Sequence, residues 1–435
     1  MKRSPKNLKI SFTGKGLTHF GGLFLLQRFF QKINLRSLLS QYLHFLQRNN
    51  RYTTAEELLA LIYPIALGLG RIETSHLLKQ NGVFQYLTGL PTYPNPTTLR
   101  RFLLRMAPLA LPKLRNLHDR LLLSMIPRPI PPTKVIFDPD STVLILYGKQ
   151  EMARIGYNPQ KWGRPSYHPL VCFNGITKDF WHGELRPGDT HTATGTVELL
   201  KAVFTKSPPS VKIVIIRADK GFYDHETIEY LESNKALFVI VAKLTSPVKR
   251  IISTLSYQVH SSGIETAEFM YQPTKWKKGY RFVVVRRLIP EDLTEQLTLF
   301  SMGKYSYQVI VTNMKLTPLN TWRFYNGRAA VELIIKELKG DYPLGKIPTK
   351  HFAANEAYFH TLLFSYNLIN WFKRLCLPTE FQNMTLKTLR ARLLLIPGEL
   401  TRPDNRPTLK LPANLLYRHA FEYAIKKIEN FKFNP

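Results

Sequence analysis

Lys134-Val-Ile-Phe-Asp138-Pro-Asp140-Ser-Thr-Val-Leu-Ile-Leu146 is the stretch on which the fold turns. Before it the apolar residues recur at helical spacing; after it strand and helix patterns alternate. The run itself reads as a strand, and residues two apart in a strand share a face, so Asp138 and Asp140 point the same way. Pro169–Gly175 and Phe180–Leu185 follow as strands joined by a turn, then Thr194–Phe204 as a helix. Val211–Ile216 and Leu237–Ala242 are short apolar runs of the buried-strand kind, with a helical segment, His225–Ser233, between them. Three strands, helix, strand, helix, strand is the order of a mixed α/β sheet.

Working outward, Ile126-Pro-Arg-Pro-Ile-Pro-Pro132 is too rich in proline for helix or sheet and marks a domain boundary. Residues 1–130 are expected to form an all-α domain. Thr97–Met106 is one of its helices and Leu109–Met125 a separate one, with Thr97 as an N-cap. Residues 131–243 and 306–376 make the α/β core. Residues 244–305, with polar strand-like segments such as Tyr280–Arg286, make an inserted β-rich subdomain. Residues 377–435 make a helical C-terminal region.

Lys and Arg number 61 against 30 Asp and Glu, a net charge of +31. Such an excess on a chain with 44% apolar residues, enough for a sizeable core, predicts a polyanionic partner. The cations are spread along the chain, which favours an extended groove over a charged tail, with an anionic membrane or the ribosome as competing partners to nucleic acid. Arg100, Arg101 and Arg105 can reach a groove or phosphates from the helix that starts near Thr97. No acidic residue precedes Glu56. Two cysteines, Cys172 and Cys376, exclude a disulfide framework and a thiolate zinc site. No secretory signal is visible at the start, and the apolar run Leu58–Gly70 is short and broken by Pro64. A soluble, cytoplasmic, nucleoid-associated protein with no membrane partner is expected.

Tyr325-Asn-Gly-Arg328-Ala-Ala-Val-Glu332-Leu-Ile-Ile-Lys336-Glu-Leu-Lys339 reads as one helix, ended by Gly340 and Pro343. At about 100° per residue, Tyr325, Arg328, Glu332 and Lys339 fall within an arc of roughly 60°. Val331, Ile334, Ile335 and Leu338 gather on a neighbouring apolar face. An ordinary solvated i,i+4 pair would explain Arg328 and Glu332 equally well. What favours chemistry is that Asp140 lies on or beside the first strand and Asp219 at the end of the fourth. Three carboxylates from two strands and a helix suit a pair of hard divalent cations.

These motifs resemble those of bacterial insertion-sequence transposases of the DDE class, with a ribonuclease H-like core. Tyr325, Arg328, Glu332 and Lys339 match the Tyr-x2-Arg-x3-Glu-x6-Lys signature of one group. Asp140-Ser-Thr-Val and Asp219-Lys-Gly-Phe-Tyr223 are similar to its acidic motifs, and Tyr157–Leu170 to the block after the first Asp. The resemblance implies that Asp140, Asp219 and Glu332 ligate two Mg²⁺ ions, with Mn²⁺ as a substitute. It prefers Asp140 to Asp138, because a small hydroxyl residue follows the Asp in the family motif. Arg328 and Lys339 would contact DNA phosphates, supported by Tyr325. Some relatives stack a displaced base on a Trp of the insert, for which Trp276 is the candidate. The implied activity is cut-and-paste transposition by two copies acting on double-stranded DNA, at terminal inverted repeats and at a target. A related nuclease and a catalytically idle DNA-binding descendant are the alternatives.

Overall fold

In the computed structural model, residues 9–45, 51–126, 133–159, 161–260, 263–274, 276–289, 301–302 and 304–433 are described. The proline-rich boundary at 127–132 therefore lies outside the described residues. The chain divides into two compact units, Asp119–Leu338 and a second made of Met1–His118 with Lys339–Pro435.

The first unit is built on one sheet. Its strands are β1 (Lys134–Ser141), β2 (Leu170–Asn174), β3 (Phe180–Glu184), β4 (Ile213–Ala218), β5 (Leu237–Val241), β6 (Gln258–Val259), β7 (Ile264–Tyr271), β8 (Tyr280–Leu288) and β9 (Tyr305–Thr312). Their order is β3-β2-β1-β4-β5-β9-β8-β7-β6, and Ser301–Met302 pairs with β9 off that path. β1, β2 and β3 run antiparallel; β4 and β5 run parallel to β1. That 3-2-1-4-5 arrangement is the expected ribonuclease H-like mixed sheet. The parallel steps are closed by helices α1 (Thr196–Thr205) and α2 (His225–Ser233), and α3 (Ser246–Thr254) follows β5. Ile215 and Ile216 of β4 and Phe238, Val239, Ile240 and Val241 of β5 are buried there, as the apolar residues of an inner parallel strand should be.

The inserted segment departs from expectation. β8 pairs with β9 over eight residues and β9 pairs with β5, so the insert prolongs the core sheet instead of forming a subdomain of its own. Buried Val283 and Ile310 pack with Val239 and Val241 in one cluster across this join. An alternating strand with one apolar face needs a partner sheet, and the nearest edge is the core's.

The second unit corrects the other boundaries. Phe352–Cys376, assigned above to the core, is buried along nearly its whole length, as is Thr54–Leu67. A helix apolar all round needs neighbours on every side. These two helices belong to the same unit, and Phe29 of a further helix, Leu23–Lys32, meets Phe372 at 5.7 Å. The N-terminal helices thus share a core with the C-terminal third. Thr97–Met106 and Leu109–Met125 are one helix, Pro96–Ser124, running through Pro108 and Pro112. Among the described residues no single helix is long and apolar enough to cross a membrane.

Candidate active site

The site lies wholly in the Asp119–Leu338 unit, where β1 and β4 end. Asp138 and Asp140 share a face of β1, but their surroundings differ. Asp138 is 1% exposed and is gripped by Arg217 of β4 through two hydrogen bonds of 2.7 Å, from Nε to Oδ1 and from Nη2 to Oδ2. Burial pushes the Asp138 carboxyl up, and the forked bond and charge of Arg217 work against it. Gly175 of the β2–β3 turn passes so close that a Cβ there would stand 2.5 Å from Arg217 and 2.7 Å from Asp138. Asp138 is thereby committed to the fold, whereas Asp140, also buried, is not gripped by Arg217.

Asp140 accepts a hydrogen bond from the Ser141 amide at 2.8 Å. Behind it Ser141 meets His168 and Thr192, and His168 meets the Thr190 carbonyl. Asp219 follows β4 and caps the short turn Lys220–Phe222 by accepting from the Gly221 amide at 2.8 Å. Glu332 stands on a helix, as expected, but in its first turn, because the helix is not continuous with Tyr325. Helix α4 (Pro318–Asn326) ends at Gly327, and a second helix, α5 (Ala329–Gly340), begins after Arg328. The junction is tightened: the amides of Gly327, Arg328 and Val331 each bond three residues back. Arg217 explains the break. It donates to the Phe324 carbonyl at 3.1 Å and lies over the Phe324 ring, and a Cβ on Gly327 would meet its Nη1 at 2.1 Å.

Because of that turn, Arg328 is drawn inward. Its guanidinium donates to Asp140 Oδ1 at 2.9 Å and to Glu332 Oε1 at 2.9 Å. The Arg328 side chain is 5% exposed, whereas that of Glu332 is 65% exposed. Burial raises the Asp140 carboxyl to about 6; Arg328 opposes this, and the charges of Asp219 and Glu332 add to it. Tyr325, at the end of α4, is pushed up to about 12 by burial. Asp219, Glu332, Arg328 and Tyr325 line a cleft of about 670 Å³. Its far wall comes from the strands that prolong the sheet, with Arg287 4.6 Å over the Trp322 ring and Trp322 Nε1 donating to Gln308 at 3.1 Å.

Among the described residues no three His, Cys, Asp or Glu side chains already stand as a metal cluster. The donor chemistry nevertheless fits a hard divalent cation. The charges of Asp219 and Glu332 both act on the Asp140 carboxyl, and Arg328 is a cation bonded to Asp140 and Glu332 together.

The other predicted residues are spread more widely. Lys339 lies in the last turn of α5, about 10 Å beyond Glu332 along the helix axis. Trp276 is half-buried against Tyr223, Tyr280 and His225. In the helical unit Arg100 pairs with Glu73 and donates to the Pro348 carbonyl, and Arg105 pairs with buried Glu57 at 3.3 Å. Of the three arginines proposed to reach DNA, Arg101 is the exposed one. Sequence reasoning passed over Arg217, Arg287 and Trp322. Arg217 carried a signal, standing two residues before Asp219 as Asp138 stands two before Asp140.

A family model described as Transposase DDE domain group 1 matches residues 2–433. The chain belongs to that family. DDE transposases in general use divalent metal ions. One similar solved structure is the piggyBac transposase synaptic complex with hairpin DNA, determined by cryo-electron microscopy. It is 13% identical with a TM-score of 0.44, over 96% of this chain and 87% of that one. No curated protein matches this DDE transposase in sequence.

Proposed function

We propose that this transposase moves an insertion sequence by cut-and-paste transposition, with Asp140, Asp219 and Glu332 as the ligands of two Mg²⁺ ions. The observation that carries the reading is that Asp219 and Glu332 line one open cleft with Arg328, and that Arg328 also bonds Asp140 from the neighbouring strand end. Bound there, the metal would supply an activated water and charge stabilisation for in-line displacement at phosphorus.

The chain's own groups set the stage for that step. Arg217 fixes the helix junction, and Arg328 holds Asp140 and Glu332 side by side. Lys220 and Arg287 bring positive charge to the cleft, where the scissile strand is to lie, and Lys339 extends it along α5. Water adds to the phosphorus at each element end, the P–O3′ bond breaks, and a 3′-hydroxyl is freed. That hydroxyl then attacks a target phosphodiester, forming one P–O bond as another breaks. Two copies of the chain, one at each end, would bring the ends together.

The test is a plasmid carrying this coding sequence within its native flanking DNA, incubated with the full-length protein and Mg²⁺. Excision of a segment bounded by short inverted repeats, followed by its insertion into a second plasmid, is the expected result. Cleavage without joining would make the protein a nuclease. Specific binding to the repeats without cleavage would make it an idle descendant.

A further inference from the structure

Several large apolar side chains of this protein are exposed, and one stretch gathers four of them with cations between. Between β1 and β2 the chain makes a two-stranded ladder, Leu144–Ile145 with Ser166–Tyr167, and the loop it carries turns its rings outward. Tyr147 is 68% exposed, Ile155 63%, Tyr157 73% and Trp162 89%. Leaving such side chains in water forgoes about 1.5–3 kcal/mol each relative to burying them, so so dense a grouping marks a contact surface.

Hydrogen bonds hold the described residues of this loop. Arg154 and Ser166 exchange backbone hydrogen bonds, the Leu146 amide donates to the Pro165 carbonyl at 3.0 Å, and the Tyr167 hydroxyl donates to the Glu151 carbonyl at 2.7 Å. Asn158, 4% exposed, accepts from the Lys161 amide at 3.0 Å and so fixes the turn before Trp162. Cations are interleaved with the rings. Lys161 and Arg164 lie 5.1 and 5.6 Å from the Tyr147 ring centre. From Tyr147 to Arg164 the sequence has Lys149, Arg154, Lys161 and Arg164 against Glu151 as the single acid.

We infer that this loop is a stacking platform for unpaired bases, with Tyr157 and Trp162 as the stacking rings and Lys149, Lys161 and Arg164 facing the adjoining phosphates. The inference rests on the reading of the chain as a DNA-processing enzyme and adds the form of DNA it holds. Phosphates alone need only cations; exposed flat rings add affinity only where a base face is available, in single-stranded or opened DNA. Charge argues against a second copy of the chain as the occupant, since each copy carries +31.

The experiment measures affinity of the full-length protein, in chelator to prevent cleavage, for a fully paired duplex and for the same duplex with a central run of mismatches. The wild type prefers the mismatched form, and Trp162→Ala or Tyr157→Ala lowers that preference about tenfold, the size of one lost base–aromatic stack. Trp162→Phe keeps it. So does Val259→Ala, which trims an apolar side chain 70% exposed on another strand. An unchanged preference in Trp162→Ala overturns the proposal, as does a wild type that binds both duplexes equally. A wild type that binds neither removes the transposase reading and this inference with it. Phosphatidylserine vesicles form a further arm: binding lost in Trp162→Ala while the DNA preference stays intact would make the loop a membrane contact.

Discussion

Asp138→Ala is expected to destabilise the Asp119–Leu338 unit by about 3–5 kcal/mol, the cost of leaving a buried guanidinium without its counter-ion. The side chains of Asp138 and Arg217 are 1% and 6% exposed, so water cannot replace the lost partner. The loss would spread, because Arg217 also fixes the end of α4 at Phe324. Denaturant unfolding followed by circular dichroism checks this, read as a fall in the midpoint of the transition that removes the sheet signal. Replacing both partners with apolar residues, Asp138→Leu with Arg217→Met, should recover most of the lost stability, since no charge is then stranded. A midpoint for Asp138→Ala within about 1 kcal/mol of wild type, the usual worth of an exposed pair, would mean that the pair is solvated in solution.

Two residues further along the strand, Asp140→Ala should do the reverse. Strand cleavage should fall by about a thousandfold or more, because losing a metal ligand removes several kcal/mol of transition-state stabilisation. Stability should change far less than in Asp138→Ala. The substitution deprives Arg328 of one partner and also removes a carboxylate whose charged form burial disfavours, and these effects oppose each other. Duplex binding should persist, since cations and not carboxylates face the phosphates. The check is a gel assay of cleavage beside an affinity measurement on the same preparation. Undiminished cleavage by Asp140→Ala would move the first ligand elsewhere.

That contrast marks the limit of what the sequence could say. Spacing placed both acids on one strand face, but only Arg217, 79 positions away, separates them, and no periodicity encodes such a contact. The mixed sheet was legible because its buried strands are apolar runs and its helices are amphipathic. The destination of β7 and β8 was not, since alternation reveals a strand without naming its partner. The junction at Gly327 was missed for a related reason. The residues after Arg328 are good helix formers, and the break is imposed by Arg217 against Phe324 and Gly327. The reverse error occurred at Pro108 and Pro112. Leu99, Phe102, Met106, Ala110, Leu114 and Leu117 keep helical spacing on both sides of the prolines and are all buried, and that stripe holds the helix together. Arg100 and Arg105 looked available because their partners, Glu73 and Glu57, lie on other segments.

The most direct test of the central claim is a Mn²⁺ titration of the full-length protein followed by electron paramagnetic resonance, with no DNA present. Wild type should bind Mn²⁺ saturably, and Asp140→Ala, Asp219→Ala and Glu332→Ala should each weaken that binding at least about tenfold, with the circular dichroism spectrum retained. A Glu332→Ala protein that takes up Mn²⁺ with wild-type stoichiometry and affinity would contradict the assignment of these three carboxylates as the metal site.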